Sequence, residues 1–150
     1  LTTKGLVGNA KKIAKINENK TQMYIACFLS PLDIHYQYVP VNGKVVDVVY
    51  DRTGVFELAF EMEKSNFNEK VITVIETSYG LVYVYQIAGF LTRKISNYLT
   101  VGQQVRAGEK LGFIHLGSRV DIIIPTNNRI INKDICVGCK MIGGKTLLFE

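Results

Sequence analysis

The chain has 150 residues, 47% of them hydrophobic, and a formal net charge of +5 at pH 7. The length suits one domain with its own core. The uncharged apolar runs are too short to cross a bilayer, so membrane contact would be peripheral or come from a segment outside this sequence. The charge favours acidic lipid surfaces or phosphate-bearing substrates, although many mildly basic domains bind neither. Nucleic acid is disfavoured, because no basic run is interleaved with aromatic residues.

Short apolar runs separated by turn signals predict a mostly β protein. Residues 1–22 are basic and polar and could form a strand pair or a loose arm. Asn42 and Gly43 mark a turn, and residues 78–80 mark the tip of a hairpin. The predicted strands are residues 23–29, 45–50, 71–76, 81–87, 120–124 and 145–149.

One segment, residues 89–99, has a helical pattern, because Phe90, Ile95 and Leu99 could share one face. Residues 101–108 and 137–144 look like one turn motif used twice. Each has a Val-Gly pair, a short polar stretch and a glycine turn before a strand. The predicted fold is β-rich α+β: a barrel-sandwich-like single domain over residues 1–150, with one short helix.

The three cysteines are Cys27, Cys136 and Cys139. An odd number argues against a secreted disulfide scaffold. The last two have CxxC spacing, but they lie in a glycine-rich, turn-like stretch, with no second pair to complete a zinc site. We expect no redox role and no metal site.

The two histidines differ in their surroundings. His35 lies between two prolines, in a stretch that suits a rigid loop, and Asp33 would share its face in an extended chain. A lone loop histidine is nevertheless more often a surface or hydrogen-bonded residue. His115 precedes Ser118 by an odd offset, which puts the two on opposite faces of a strand and makes His115 an unlikely partner.

Gly117 and Ser118 stand at the start of an apolar run that ends at Pro125. A serine after a glycine can attack the glycine's carbonyl. The resulting ester can eliminate, which cuts the chain and leaves a pyruvoyl group in place of the serine. Serines after glycines are common, so this pair is weak evidence by itself.

Several segments, in order and spacing, resemble the short form of the phosphatidylserine decarboxylase family. They are FLSPLDIH at residues 28–35, PVNG at 40–43, NEK at 68–70, QIAGFLTRKI at 86–95, VGQQV at 101–105 and GEKLGFIHLGSRVDIIIP at 108–125. The similarity covers roughly residues 24–148.

The resemblance implies self-cleavage between Gly117 and Ser118. Residues 1–117 would form the larger subunit and residues 118–150 the smaller one, headed by a pyruvoyl group that derives from Ser118 and is the covalent cofactor. The amine of phosphatidylserine would condense with its ketone, the conjugated carbonyl would accept electrons as carbon dioxide leaves, and phosphatidylethanolamine would be released. His35 matches the family histidine that would reprotonate the carbanion.

The family also suggests partners. Arg119 and Arg93 could hold the phosphate or carboxylate of the substrate, with Asp33 as a third substrate-binding candidate, although arginines that cap a strand end would look the same. The resemblance implies a peripheral membrane protein on the cytoplasmic side. A homo-oligomer is left open.

Two positions depart from the family pattern. The second histidine of long forms is replaced by Tyr38, and short forms often lack it as well. The family has an Asp-Gly element near its amino end whose aspartate supports self-cleavage. Here no acidic residue precedes Glu18, and Asn9 could at most form a hydrogen bond. The alternative is therefore an unprocessed or non-catalytic relative that binds a lipid headgroup or a protein partner. A carrier module is disfavoured, because no lysine marks a hairpin tip.

Overall fold

A computed structural model of the chain describes residues 11–18, 22–30, 36–51, 69–89, 94–115, 118–127, 129–130 and 132–149. Strands dominate these ranges, which confirms the mostly β prediction. Within the same ranges, no helix has the length and apolar character needed to span a bilayer.

The described strands, numbered in chain order, form two antiparallel sheets. In spatial order, the large sheet contains β11 (Lys140–Met141), β1 (Lys11–Glu18), β2 (Gln22–Leu29), β10 (Ser118–Pro125), β6 (Gly80–Ile87), β5 (Lys70–Thr77), β4 (Gly43–Asp51) and β8 (Gln104–Val105). The small sheet contains β3 (Tyr36–Tyr38), β9 (Lys110–Ile114) and β7 (Ile95–Asn97).

Both sheets contribute to one apolar core. Val120, Ile122 and Ile124 are alternate residues of β10 and are fully buried in this core, as period-two alternation requires of a strand with one apolar face. Leu111 and Ile114 of β9 join them from the small sheet. Burial of each such side chain contributes roughly 1.5–3 kcal/mol.

The repeated turn motif is visible in the backbone. Gly102 and Gly138 have φ values of 93° and 84°, and Gly108 and Gly144 have φ values of 93° and 71°. Between the glycines of each pair runs a two-residue strand, β8 in the first and β11 in the second. Glycine is favoured at all four positions, because other residues rarely adopt positive φ.

The two turn motifs lie at opposite ends of the large sheet. β8 pairs with β4, and β11 pairs with β1. The next pairs inward, β4 with β5 and β1 with β2, each contain a register shift, between Val45 and Asp47 and between Ile13 and Lys15. Read from either end, the sheet thus has the same order of elements, and β10 and β6 meet at its centre.

Most predicted strands are confirmed, each beginning one or two residues earlier than expected. Of the two alternatives for residues 1–22, the strand holds for Lys11–Glu18. The hairpin tip is also confirmed: the Tyr79 amide donates to Thr77 Oγ1 at 3.1 Å, and Gly80 has a φ of 122°.

The helix predicted over residues 89–99 is wrong where the structure describes it. Ile95–Asn97 is strand β7 and pairs with β9, while residues 90–93 lie outside the described ranges. The apolar spacing fits a helix, but tertiary contacts decide the outcome. Asn97 donates to Thr73 Oγ1 at 2.8 Å and to Gln86 Oε1 at 3.0 Å, and both acceptors lie on strands of the large sheet.

The strand predicted at residues 145–149 is not formed as such: the segment starts in a turn, and only Leu147 and Phe149 make isolated β-bridges. The amides of Lys145 and Thr146 donate to the Ile142 carbonyl at 3.1 and 2.9 Å, which makes a turn. Leu148 and Phe149 are buried nevertheless. The apolar pattern here indicates burial rather than a strand.

Candidate functional site

Ser118 is the first residue of β10, at the centre of the large sheet. Its Cα is in register with Leu29 of β2, and the next residue, Arg119, is in register with both β2 and β6. Gly117 and the side chain of Ser118 lie outside what the structure describes. The predicted cleavage point thus comes where the chain enters a strand that is hydrogen-bonded on both sides.

The other predicted site residues are only partly described. His35, Asp33 and Arg93 lie outside the described ranges, so their roles stay predictions. Strand β3 begins at Tyr36, directly after His35 in the chain. Of the predicted substrate-binding residues, only Arg119 has a described side chain.

Arg119 forms a buried ion pair with Asp121. Its Nε lies 2.9 Å from Oδ1 of Asp121, and its Nη2 donates to Oδ2 at 3.0 Å. The two side chains are 1% and 6% exposed. The hydroxyl of Tyr24 donates to the same Oδ2 at 2.7 Å. The carboxylate is therefore held by a two-pronged charged contact and by a neutral donor, which is the kind of pairing that a buried charge needs.

The surroundings change the acidity of these groups. Burial raises the pKa of Asp121, and the nearby Arg119 and the hydrogen bond from Tyr24 act against that shift. Burial, followed by the charge of Asp121, raises the pKa of Tyr24, so its phenol stays protonated and keeps donating. Burial, and then Asp121, also raises the pKa of the Cys27 thiol to about 12.

A cavity of about 190 Å³ lies beside the ion pair. Arg119 and Asp121 occupy alternate positions of β10 opposite to those of Val120 and Ile122, so the cavity lies on the side of the sheet away from the core. The substrate-binding role of Arg119 stays a prediction, and the structure shows its guanidinium engaged with Asp121. The cavity is lined by Tyr24, Lys70, Tyr85, Ile87, Arg119, Asp121 and Ile123.

A second polar cluster lies on the core side of the sheet. The amide of Gln86 donates to Gln37 Oε1 at 2.8 Å and to the Ser96 carbonyl at 3.3 Å. Gln86 and Gln37 are both fully buried. The side chain of Asn97 links this pair to Thr73. The cluster therefore connects β3 and β7 of the small sheet with β5 and β6 of the large one.

Sequence reasoning missed both polar clusters. One signal was available for the second: Gln86 shares alternate positions of β6 with the buried residues Val82 and Val84. A polar residue in the apolar register of a strand indicates a partnered buried amide. No comparable signal identifies its partner Gln37.

His115 follows β9 and packs against Phe113, with ring centroids 4.7 Å apart. The Phe113 ring also contacts Tyr36 of β3 at 4.9 Å. These edge-to-face ring contacts tie the start of β3 to the end of β9, the strand that leads towards Gly117. The prediction that His115 does not act with Ser118 remains open.

The CxxC pair is bonded as a disulfide between Cys136 and Cys139. The Cys139 amide donates to the Cys136 carbonyl at 3.0 Å, and Gly138 has a positive φ of 84°, so the bridge closes one of the repeated turns. This is a local bridge, so it does not make the chain a disulfide scaffold. The third cysteine, Cys27, is a buried free thiol.

Comparison with known proteins gives the family. A family model described as phosphatidylserine decarboxylase matches residues 1–149. The match spans nearly the whole chain, so the chain belongs to the phosphatidylserine decarboxylase family. No solved structure shows a significant match.

Curated relatives agree with this assignment. The phosphatidylserine decarboxylase proenzyme of Prosthecochloris aestuarii is 37% identical over 129 residues, which is 86% of this chain and 58% of that protein. The proenzyme of the same name from the Wolbachia of Brugia malayi is 39% identical over 132 residues, 87% of this chain and 56% of that protein. A proenzyme named for archaetidylserine decarboxylation, from Methanothermobacter thermautotrophicus, is 39% identical over 124 residues, 83% of this chain and 53% of that protein. The chain spans little more than half the length of these relatives.

Proposed function

We propose that the protein decarboxylates phosphatidylserine to phosphatidylethanolamine after cutting itself between Gly117 and Ser118. Family membership and the place of residue 118 in the sheet carry this proposal. Residues 1–117 would form the larger piece and residues 118–150 the smaller one, within one domain.

The cut uses only groups of the chain and water. The Ser118 hydroxyl attacks the Gly117 carbonyl carbon, and the acyl group moves from nitrogen to oxygen. Elimination then releases Gly117 as a carboxylate. Water replaces the nitrogen of residue 118, which leaves as ammonia, and a pyruvoyl group remains. When present, this group supplies an electrophilic carbonyl for the substrate amine and a sink for the electrons that carbon dioxide leaves behind.

The strand that begins at Ser118 fits this chemistry. A serine is the only precursor that the group needs, and the backbone of this serine is paired with β2, a strand from the larger piece. A reacting group gains from being fixed in one geometry. His35 would donate the proton to the substrate carbon, since imidazole transfers protons near neutral pH. Arg119, Arg93 and Asp33 stay proposed for substrate binding.

The fold also explains how the two pieces would stay together. All eight residues of β10 pair with β2, and five of them pair with β6 as well. Both neighbours belong to the larger piece. Val120, Ile122 and Ile124 remain buried in the shared core. The cut would therefore remove one covalent bond and leave the ladder and the core in place.

The proposed substrate is a lipid with a phosphoserine headgroup. The name of the Methanothermobacter relative makes archaetidylserine a second candidate, with the same headgroup on an ether-linked lipid backbone. The net charge of +5 supports peripheral contact with an anionic membrane surface. The cytoplasmic side of that membrane is part of the proposal. Assays with vesicles of either lipid would separate the two substrates.

The first test is the intact mass of the purified full-length protein under denaturing conditions. We expect two species, one ending at Gly117 and one starting at residue 118, the latter lighter by one ammonia than its serine form. Ser118→Ala should give one uncut species and release no carbon dioxide from phosphatidylserine vesicles. A single uncut mass for the wild type would instead support the non-catalytic alternative.

A further inference from the structure

We propose that the hydrogen bond between the side chains of Gln37 and Gln86 is a positioning device for self-cleavage. It holds β3, which directly follows His35 in the chain, against the strand beside β10, whose first residue is Ser118. This inference rests on the proposed function and on His35 also activating Ser118, because it assigns the bond a role in cutting the chain after Gly117.

The bond joins the two sheets within their shared core. Gln37 is the middle residue of β3, and Gln86 is the penultimate residue of β6. The amide of Gln86 donates to Gln37 Oε1 at 2.8 Å, and both side chains are 0% exposed. Gln86 is in register with Val120 of β10, two residues beyond Ser118. The bond thus connects the strand after the proposed proton donor to the neighbour of the strand that starts with the proposed nucleophile.

The neighbours of Gln86 fix the direction of this bond. Its Nε2 also donates to the Ser96 carbonyl at 3.3 Å, and its Oε1 accepts from Asn97 Nδ2 at 3.0 Å. The Asn97 amide donates in turn to Thr73 Oγ1 at 2.8 Å. Both hydrogens and the oxygen of the Gln86 amide are therefore used, and turning the amide over would set like groups against each other.

Strand β9 leaves space for this amide. Gly112 of β9 is in register with Gln37 on one side and with Asn97 on the other. A Cβ at Gly112 would clash with the Ser96 carbonyl oxygen and lie 2.5 Å from Gln86 Nε2. The absence of a side chain at this position lets the amide reach across β9, the strand that leads towards the cleavage point.

Strand β3 needs such a device, because its own pairing is weak. It has three residues, lies at the edge of the small sheet, and has a register shift between Gln37 and Tyr38. A short edge strand can slip along its neighbour unless a directional contact fixes its register. An apolar pair would fill the same volume but would not fix the register of β3. A buried amide with all its hydrogen-bond partners does fix it, because its hydrogen bonds are directional.

The first test is Gln86→Glu in the full-length protein, with self-cleavage followed by intact mass across the pH range. The introduced carboxyl is buried, so its pKa should be raised, and at low pH its proton can be donated to Gln37. At higher pH it ionises, loses that proton, and faces the oxygens of Gln37 and Ser96. We expect cleavage at least about tenfold slower than wild type at high pH, approaching the wild-type rate at low pH. The same ratio to wild type at every pH would overturn the proposal.

The second test uses Gln86→Met, with Thr73→Val as the matched control. Both remove a polar group of the same cluster. Gln86→Met removes the bonds of Gln86 to Gln37, to the Ser96 carbonyl and to Asn97, whereas Thr73→Val removes only the bond from Asn97. We expect at least about tenfold slower cleavage for Gln86→Met and a wild-type rate for Thr73→Val, with thermal unfolding checked for both. The double variant Gln37→Met/Gln86→Met removes both glutamine amides, so neither is left without the other. It should also cut slowly.

The outcomes separate this inference from the proposed function. A wild-type protein that is never cut refutes the proposed function. A wild-type protein that is cut, together with a folded Gln86→Met or double variant that is cut equally fast, refutes the positioning role. Loss of folding in Gln86→Glu, Gln86→Met and the double variant alike would show that the bond serves stability, and would refute the positioning role too.

Discussion

The hydroxyl of Tyr24 donates to Oδ2 of Asp121 at 2.7 Å across two neighbouring strands. Asp121 is in register with Ala26, and Tyr24 with Ile123, so the hydrogen bond runs diagonally between β2 and β10. Diagonal neighbours on one face of a sheet are within reach of a long aromatic side chain. Tyr24 thereby completes the environment in which Asp121 pairs with Arg119 away from water.

Removing one partner of this ion pair should be costly. Asp121→Ala would leave the Arg119 guanidinium buried without its carboxylate, and we expect a loss of about 3–5 kcal/mol in the free energy of unfolding, measured with urea. The double variant Arg119→Met/Asp121→Leu should recover most of that loss, because it leaves no charge behind. A single variant as stable as the wild type would mean that the pair contributes nothing.

Stability should fall in alkaline solution because of Cys27. The pKa of this thiol is raised from 9.0 to about 12 by burial, so above pH 9 the unfolded chain loses a proton that the folded chain keeps. The folded state then binds more protons than the unfolded one, and the free energy of unfolding decreases as the pH rises from 9 towards 12. Cys27→Val should show a shallower decrease than the wild type when urea unfolding is measured across this range. If the wild type and Cys27→Val lost stability equally steeply with pH, Cys27 would not be the cause of the alkaline loss.

Gly112→Ala should be among the more damaging single-methyl changes in the chain. The added Cβ meets the backbone oxygen of Ser96, which belongs to a paired strand and cannot move cheaply. We expect a loss of about 1–3 kcal/mol, read from thermal unfolding. Gly102→Ala is the control: its φ of 93° strains an alanine, but nothing lies within 4 Å of the new Cβ. That control should lose only the cost of the strained backbone, about 1 kcal/mol.

Arg129 should stabilise the segment that follows β10. Its guanidinium lies 3.9 Å from the Phe149 ring centroid, and its Nη2 and Nε donate to the carbonyls of Pro125 and Thr126 at 2.6 and 3.1 Å. Arg129→Lys keeps the charge but loses the planar fork, so we expect a loss of about 1–2 kcal/mol in urea unfolding. The exposed Lys133→Ala should have almost no effect. If Arg129→Lys were as stable as the wild type, the contact with the Phe149 ring would add nothing to stability.

His35→Ala tests the predicted proton donor. If His35 only reprotonates the substrate carbon, the variant should be cut normally after Gly117 but release phosphatidylethanolamine at least about a hundredfold more slowly. If His35 also activates Ser118, the variant should remain uncut. The control is His115→Ala, the histidine nearer to Ser118 in sequence, which should be cut and turn over normally. Full turnover by His35→Ala would exclude His35 from the mechanism.

Much of the local structure follows from the sequence. The run of β-branched residues after Ser118 predicts a strand, because such residues favour the extended chain and period-two burial, whereas its central place in the sheet comes from the structure. The two repeated glycine turns were predicted as well, and the structure gives positive φ to Gly102, Gly108, Gly138 and Gly144. The family motifs around Ser118 and His35 were also readable, since they depend on order and spacing alone.

The errors arose where a local pattern fits two structures. Residues 95–97 carry spacing compatible with a helix, but they form β7, because Asn97 and the backbone of Ser96 find partners on β5 and β6. Residues 145–149 alternate like a strand, yet form a turn followed by buried side chains. In both cases, contacts with other parts of the chain outweigh a weak local preference.

The sequence by itself determined the class of fold, the strand at residues 120–124 and the position of the proposed cut. Only the tertiary structure decided the partners of the buried polar groups. Tyr24 and Asp121 are 97 residues apart in the chain, and Gln37 and Gln86 are 49 apart. No local pattern specifies such pairs, because a buried polar atom needs a partner at hydrogen-bond distance and strand order and register alone determine which one lies there.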